Sequence, residues 1–359
     1  MIHDGFIYLA TLMLLAAILV NLPVYLRGKG AQTFFKFAPP IVLIYLGMML
    51  LCTMKVWDLQ DTSAIYVAIK NPLLYAMLFL MLLRCDLKKI IKLGPKMLIG
   101  FFSASISIGV GFVVSYGIFH KLLGPESWKA LAALCGSWLG GGSNMLAIQA
   151  ILDVSEESLA YSLVMDSVCA VLYVMFLLWV INFSKEFNSW TKADVRLIDE
   201  VGASLEKEAR EDKRPLTWKN MLLLIGVSFF ISSLSKDAGV MVASVLPVFD
   251  KATWTVLLVT ATGLIVAMTP FGKIKGTEEV SNIMLYIVIA MIASRADISA
   301  MGNAPVWLAA GFLILLIHVA VMVILAKLIR LDIFTCAVAS LANIGGTATA
   351  PVLAGAYSS

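Results

Sequence analysis

Apolar residues along this chain are gathered into eleven runs of spanning or near-spanning length, separated by polar segments. A transmembrane helix needs about 20 mostly apolar residues, and lipid accepts only helices and closed barrels as spanning structures. The pattern predicts an all-α membrane protein with many crossings. The runs cover residues 5–25, 37–54, 63–84, 97–119, 129–151, 159–183, 217–235, 252–269, 281–294, 305–326 and 333–357.

Composition favours the same class. The 359 residues are 60% hydrophobic and 14% charged, with a mean hydropathy of +0.92, whereas soluble domains carry about 25% charged residues. The first run lacks the basic residues that precede a cleavable signal, so we expect it to be retained. The five cysteines show no CxxC spacing, which favours free thiols over a metal site.

The two halves of the chain repeat. Arg84-Cys85-Asp86-Leu87 ends the third run, and Arg295-Ala296-Asp297-Ile298 ends the ninth, 211 positions later. At the same offset Asn71 matches Asn282, and the first run lands on the seventh. We interpret residues 1–183 and 217–359 as two repeats joined by a polar linker, 184–216.

A glycine-rich string interrupts one apolar run in each repeat. The first is Gly136-Ser137-Trp138-Leu139-Gly140-Gly141-Gly142-Ser143-Asn144-Met145, and the second is Ala342-Asn343-Ile344-Gly345-Gly346-Thr347-Ala348-Thr349-Ala350-Pro351. Glycine and proline at this density end a helix, and lipid tolerates broken backbone only inside protein or beside a wet cavity. Paired breaks point to the binding site of a secondary transporter. The alternative is close helix packing through small residues.

The distribution of charge predicts the topology. If each string is the tip of a hairpin that enters and leaves on one side, 20 Lys and Arg lie on the face of the linker and six on the other. The positive-inside rule then places the linker in the cytoplasm and the N-terminus outside. Each repeat would hold about five transmembrane helices plus one broken or re-entrant helix, and the second repeat would be inverted. A broken helix that crosses the membrane stays open as the alternative.

The two repeats differ at their ends. In the first repeat the run 159–183 follows the glycine string, whereas the chain stops soon after the second string. We therefore expect the last helix of the second repeat to be missing from the chain. The alternative is a second repeat that is shorter than the first.

The glycine strings also carry the predicted binding chemistry. They offer backbone N–H groups, the positive end of a helix dipole and small hydroxyl or amide side chains, which suit a carboxylate or another small anion. Neighbouring carbonyls suit Na⁺. We predict that the substrate binds between the strings near the bilayer midplane, at Gly140, Gly141, Gly142, Ser143, Asn144, Asn343, Gly345, Gly346, Thr347 and Thr349.

Four polar residues within apolar runs are candidates for ion coupling: Asp166, Lys70, Asn71 and Asn282. A carboxylate in lipid is costly, so Asp166 is expected to face a wet cavity or a partner, as a Na⁺ ligand or proton carrier. The alternative is an acid that caps its helix near the outer end. Lys70 could neutralise Asp166, bind an anionic substrate or snorkel to the surface. For His318, a hydrogen-bonded core histidine and a proton relay are both open.

No motif points to an enzyme. The sequence lacks GxxxxGK[ST], HExxH and GxSxG. Its net charge of +4 reflects the loops, and no basic face interleaved with aromatics indicates nucleic acid. We expect no catalytic residue, no metal and no cofactor other than a coupling ion, Na⁺ or H⁺.

The two strings, together with Asp166-Ser167, resemble the YjcL-like family of bacterial integral membrane proteins over nearly the whole chain. That family is functionally uncharacterised, and the resemblance implies a bacterial inner membrane. The layout is also similar to the bile acid/cation–proton antiporter-type superfamily and to sodium–glutamate and 2-hydroxycarboxylate symporters. This similarity implies two broken helices that cross near the midplane, a second panel domain, elevator-like or rocking movement, and a homodimer.

Together these patterns predict an ion-coupled secondary transporter of a small solute, an organic anion. Its expected partners are the lipid bilayer, the solute and a second copy of the chain. The alternative function is a channel, or a membrane sensor or scaffold without active transport.

Overall fold

The computed structural model describes residues 1–26, 28, 30–31, 34–35, 40–83, 94–180, 183–193, 216–296 and 302–344. Within these ranges the chain is helical and holds no strand, although an isolated parallel bridge joins Ile2 to Trp57. Six of the described helices are long and apolar enough to cross a membrane. The chain is therefore an all-α, multi-pass membrane protein, as the apolar runs predict.

The described helices follow the order of the runs. They are α1 (Gly5–Tyr25), α2 (Pro40–Thr53), α3 (Ser63–Leu82), α4 (Gly94–Leu123), α5 (Ser127–Gly140), α6 (Gly142–Leu152), α7 (Glu156–Val180), α8 (Ser184–Thr191), α9 (Trp218–Val245), α10 (Lys251–Ala267), α11 (Thr277–Ala293), α12 (Ala304–Ile329) and α13 (Ile333–Ile344). A short 3₁₀ helix, Pro270–Lys273, precedes α11.

The largest difference from the predicted runs lies in α9. The apolar run stops at Lys236-Asp237, but the helix continues to Val245. Charged side chains lower the hydropathy without breaking a helix. The stop comes from Pro247, whose ring disfavours helical backbone at Leu246, and Leu246 has φ −122° and ψ 81°.

One compact unit consists of Met1–Leu87, Leu146–Val164 and Pro215–Gly302. Its centre is the pair α3 and α11, which pack against each other and carry fully buried side chains such as Leu74, Phe79 and Met291. Helix α3 also packs against α9 and α10, and α11 packs against α1 and α2. A Cβ atom on Gly263 of α10 would lie 2.9 Å from Leu82 Cβ, so glycine allows the close approach to α3.

The other compact unit consists of Lys88–Met145, Met165–Arg214 and Asn303–Ser359. Helix α4 is its centre and packs against α5, α12 and α13. A Cβ atom on Gly111 would lie 2.9 Å from the Ile314 carbonyl oxygen, which brings α4 and α12 into backbone contact. Across the same pair, Ser115 Oγ donates to the Ala310 carbonyl at 2.9 Å.

The compact units are not the two halves of the chain, because each unit takes helices from both. The first unit holds α1–α3 and α9–α11, and the second holds α4, α5, α12 and α13. The division between the units falls within α6 and α7. Most of the linker, 194–215, lies outside the described residues, and its described start forms α8.

Candidate functional site

The first glycine string interrupts its helix at Gly141, between α5 and α6. Gly141 has φ +91° and ψ 173°, a backbone conformation that is essentially restricted to glycine. Its N–H donates to the Ser137 carbonyl at 2.6 Å, and its carbonyl accepts the Asn144 N–H at 3.0 Å. The structure thus contains the break that the sequence predicts, held by hydrogen bonds from both half-helices.

The predicted binding residues of this string surround the break. The side-chain amide of Asn144 lies directly over Gly140, so a Cβ added at Gly140 would force that amide to move. Gly142 and Ser143 are half-buried in the first turn of α6, and Asn144 is exposed. Polar groups with access to solvent therefore gather at a half-helix N-terminus, which is the arrangement that favours anions.

Asp166 is fixed against the end of α5. It lies on α7, is half-buried, and accepts hydrogen bonds from Trp138 Nε1 at 2.8 Å and from Ser137 Oγ at 3.2 Å. The sequence predicted neither partner. The available signal was the indole of Trp138 inside the glycine string, because a buried Trp N–H needs an acceptor.

The second string is described only up to Ile344, where α13 ends. Asn343 is fully buried: its Oδ1 accepts from Ser105 Oγ at 2.9 Å, and its Nδ2 donates to the Ala339 carbonyl at 2.9 Å. Asn343 thereby fastens the end of α13 to α4, and α13 also packs against α5. The predicted residues Gly345, Gly346, Thr347 and Thr349 lie outside the described residues.

His318 is fully buried on α12 and bonded at both ring nitrogens. Its Nδ1 lies 2.6 Å from Ser107 Oγ, and its Nε2 lies 3.0 Å from Ser340 Oγ. Ser107 Oγ also lies 2.7 Å from the Ala104 carbonyl oxygen, and the ring tautomer sets which nitrogen of His318 donates. The histidine joins α4, α12 and α13 as a hydrogen-bonded core residue.

The other coupling candidates lie in the unit built around α3 and α11. Lys70 is half-buried, and the acids that act on it are Glu156 and Asp153. Asn71 is exposed and Asn282 is half-buried. The structure brings Asp166 to the helix break, while it places Lys70, Asn71 and Asn282 in the other unit.

Arg295 binds the start of α3 and the loop before it, within the same unit. Its Nη1 donates to the Leu59 carbonyl at 2.5 Å and its Nη2 to Thr62 Oγ1 at 3.1 Å. The guanidinium lies 4.6 Å from the centre of the Tyr66 ring and 5.5 Å from that of Tyr8. Its neighbour Asp297, like Arg84 and Asp86, lies outside the described residues.

A polar cluster occupies the loop before α3, outside the membrane-spanning segments. Asp58 Oδ1 accepts the backbone N–H groups of Asp61 at 2.9 Å and Gln60 at 2.8 Å. These bonds, that from Asp61 first, hold the pKa of the Asp58 carboxyl below its usual value. His3 Nδ1 lies 2.7 Å from Asp61 Oδ2. These hydrogen bonds explain why His3, Asp58 and Asp61 lie close together.

Known proteins resemble this chain over almost its entire length. The family described as "Protein of unknown function (DUF819)" matches residues 10–359. A Bacillus subtilis (strain 168) protein, described as "Uncharacterized membrane protein YjcL", is 22% identical over 344 residues, which cover 90% of this chain and 84% of that protein. The resemblance to YjcL-like membrane proteins is thus confirmed beyond the glycine strings.

Proposed function

The chain belongs to the DUF819 family of membrane proteins, and on that basis we propose that it is an ion-coupled secondary transporter of a small organic anion. The observation that carries this proposal is the helix break at Gly141 with a carboxylate, Asp166, bonded to the residues just before it. Soluble and structural helices have no need for such a break, whereas transporters use half-helix ends to bind cargo and coupling ions. An acid within a membrane helix is by default a functional residue.

The packing of the helices supports a duplicated architecture. The sequence repeat pairs α1 with α9, α2 with α10 and α3 with α11. Helix α3 packs on α9 and α10, and its counterpart α11 packs on α1 and α2, which are the counterparts of α9 and α10. In the other unit the counterparts α4 and α12 pack together, as do α5 and α13. We propose that the halves are inverted repeats related by a pseudo-two-fold axis.

The proposed substrate site lies at the two string ends, α5–α6 and α13. Gly140 to Asn144 supply N–H groups and polar side chains at the start of α6, and we propose Asn343 and the second string as their counterpart in the other repeat. The positive end of α6 favours the carboxylate of an organic anion. Asp166 is the proposed coupling residue, because its partners tie it to the break.

The proposed topology places the linker in the cytoplasm of a bacterial inner membrane and the N-terminus outside. Its support is the excess of 20 Lys and Arg on the linker face over six on the other. Helix α8, which opens the linker, carries Trp190, and Lys327 Nζ lies 4.7 Å from the centre of that ring. Tryptophan and lysine are typical of a membrane–water interface.

A substrate screen followed by reconstitution tests the function. Purified protein is first screened by thermal shift against small mono-, di- and tricarboxylates in NaCl or KCl. The stabilising compound is then offered, radiolabelled, to proteoliposomes under an imposed Na⁺ or pH gradient. Saturable uptake driven by one gradient supports a transporter. Flux without saturation would indicate a channel, and the absence of flux would indicate a sensor or scaffold.

A matched pair of variants tests the coupling residue. Asp166→Asn should retain substrate exchange but lose gradient-driven accumulation, because the carboxylate no longer changes charge. Glu157→Gln makes the same change in the first turn of the same helix and should accumulate substrate normally. Gradient-driven uptake by Asp166→Asn at the wild-type level would remove Asp166 from the mechanism.

A further inference from the structure

Ser137 and Trp138 connect the Asp166 carboxylate to the helix break through a short chain of bonds. Asp166 Oδ2 accepts from Ser137 Oγ at 3.2 Å, and the carbonyl of the same serine accepts the Gly141 N–H at 2.6 Å. The next residue, Trp138, donates its indole N–H to Oδ1 at 2.8 Å. Ser137 and Trp138, near the end of α5, thus both bind the Asp166 carboxylate, and Ser137 also accepts the N–H of Gly141.

The indole of Trp138 is positioned independently of Asp166. The side chain is fully buried, and its ring packs edge-on against Phe112 at a centroid distance of 5.3 Å. Its N–H is a donor with no lone pair to offer. A cation cannot replace Asp166 as the partner of this N–H, and the indole occupies one approach to Oδ1.

The groups around Asp166 therefore suit a proton better than Na⁺. Sodium needs several oxygen lone pairs in its shell, whereas a proton needs one free lone pair on the carboxylate. On α5, Ser137 and Trp138 face the carboxylate. On α7, its titratable neighbour is the thiol of Cys169. Helix α12 contributes Gly311, which lies against Met165 and Cys169. Among the described residues no charged side chain acts on the carboxylate.

Protonation would reverse one bond and weaken the other. An ionised carboxylate accepts from both partners, and such charge-assisted bonds are roughly twice as strong as neutral ones. A proton on Oδ2 would be donated to Ser137 Oγ, so the serine hydroxyl would have to turn to another acceptor. The hydrogen bond from Trp138 to Oδ1 would remain but weaken. Asp166 would then constrain Ser137, whose carbonyl accepts the Gly141 N–H, less strongly.

We propose that Ser137 is the positioning residue that couples the protonation of Asp166 to the helix break at Gly141, with Trp138 holding the carboxylate beside it, and that the coupling ion is a proton. The inference rests on the proposed transport function and deepens it by naming the ion and the route. Asp166 is half-buried as a residue, and a proton needs no more than one free lone pair on its carboxylate. The backbone at Gly141 would then change with the charge of Asp166 without a large movement of α7.

The indole N–H resonance of Trp138 tests the proposal directly. Full-length ¹⁵N-labelled protein in lipid nanodiscs has eight tryptophan indole signals, and Trp138→Phe identifies that of Trp138. Lowering the pH should shift its N–H proton upfield, because the acceptor loses its charge. Trp128 lies on the same helix but is exposed, and its signal should stay in place. Replacing KCl by NaCl at constant ionic strength should leave the Trp138 signal unchanged.

The Asp166→Asn variant completes the test. Its Trp138 signal should lie at the acid limit of the wild type and lose its pH dependence, and the Gly141 amide should exchange with deuterium faster than in the wild type. A Trp138 shift that follows Na⁺, or a pH response that survives in Asp166→Asn, would overturn the proposal. None of these measurements needs a substrate, so a negative result here leaves a Na⁺-coupled transporter intact.

Discussion

Replacing Gly141 by alanine should damage the protein more than the same change at the next residue. An added Cβ finds no atom within 4 Å at either Gly141 or Gly142, so neither variant suffers a collision. The difference lies in the backbone, since only Gly141 has a positive φ, +91° with ψ 173°. Alanine in this region costs about 1–3 kcal/mol, whereas alanine at Gly142 should cost nothing and gain up to about 1 kcal/mol of helix propensity.

The pair of variants isolates conformational strain from sterics. We expect Gly141→Ala to shift the unfolding equilibrium by about 5- to 150-fold, measured by denaturation with SDS in mixed micelles, while Gly142→Ala stays at or slightly above wild type. A relaxed variant would instead continue α5 into α6 as one helix, which slower hydrogen exchange of the backbone amides at residues 141–144 would register as added helicity. Equal stability of the two variants, with unchanged helicity, would refute the argument that the break depends on glycine at position 141.

Three further predictions follow from other parts of the chain. Gly111→Ala should destabilise by about 1–3 kcal/mol in the same SDS assay, because its Cβ would lie 2.9 Å from the Ile314 carbonyl oxygen; Gly109→Ala, with nothing within 4 Å, is the matched control. His318→Ala should cost about 2–5 kcal/mol, because it opens a cavity and removes one hydrogen-bond partner from each of two buried serines; a loss below 1 kcal/mol would contradict its structural role. For Asp58, whose pKa is lowered by backbone N–H donors, the stabilisation should be complete above the normal aspartate pKa and lost as the pH falls through the lowered value. The deficit of Asp58→Asn, measured as an unfolding midpoint, should thus be present at neutral pH, begin to shrink below about pH 4 and vanish once the pH lies below the lowered pKa.

The positions of the helices could be predicted from the sequence because lipid imposes one length scale on apolar runs. Run 5–25 has the same bounds as α1, and the glycine string interrupts run 129–151 at Gly141. Hydropathy failed at Lys236-Asp237, where α9 continues, because polarity and helix termination are separate properties.

The contacts within the site could not be predicted, since they depend on which helices meet. Asp166 could be identified from its cost in lipid alone, but its bonds to Ser137 and Trp138 bridge 29 and 28 residues. Hydropathy and spacing carry no information on such pairings. Nor does the pattern give the exposure of a side chain: Asn71, a coupling candidate from the sequence, is exposed in the described structure.

The interleaving of the two units has a consequence for biosynthesis. Helices α1, α2 and α3 leave the ribosome early, yet three of the helices that pack on α3, namely α9 to α11, are synthesised only after residue 217. Until then α1 is the early helix that packs on newly inserted α3, and most of the surface that α9 to α11 will cover faces the bilayer. Two separately expressed fragments, cut within the linker, should rescue each other when made together, and each should be degraded when made alone.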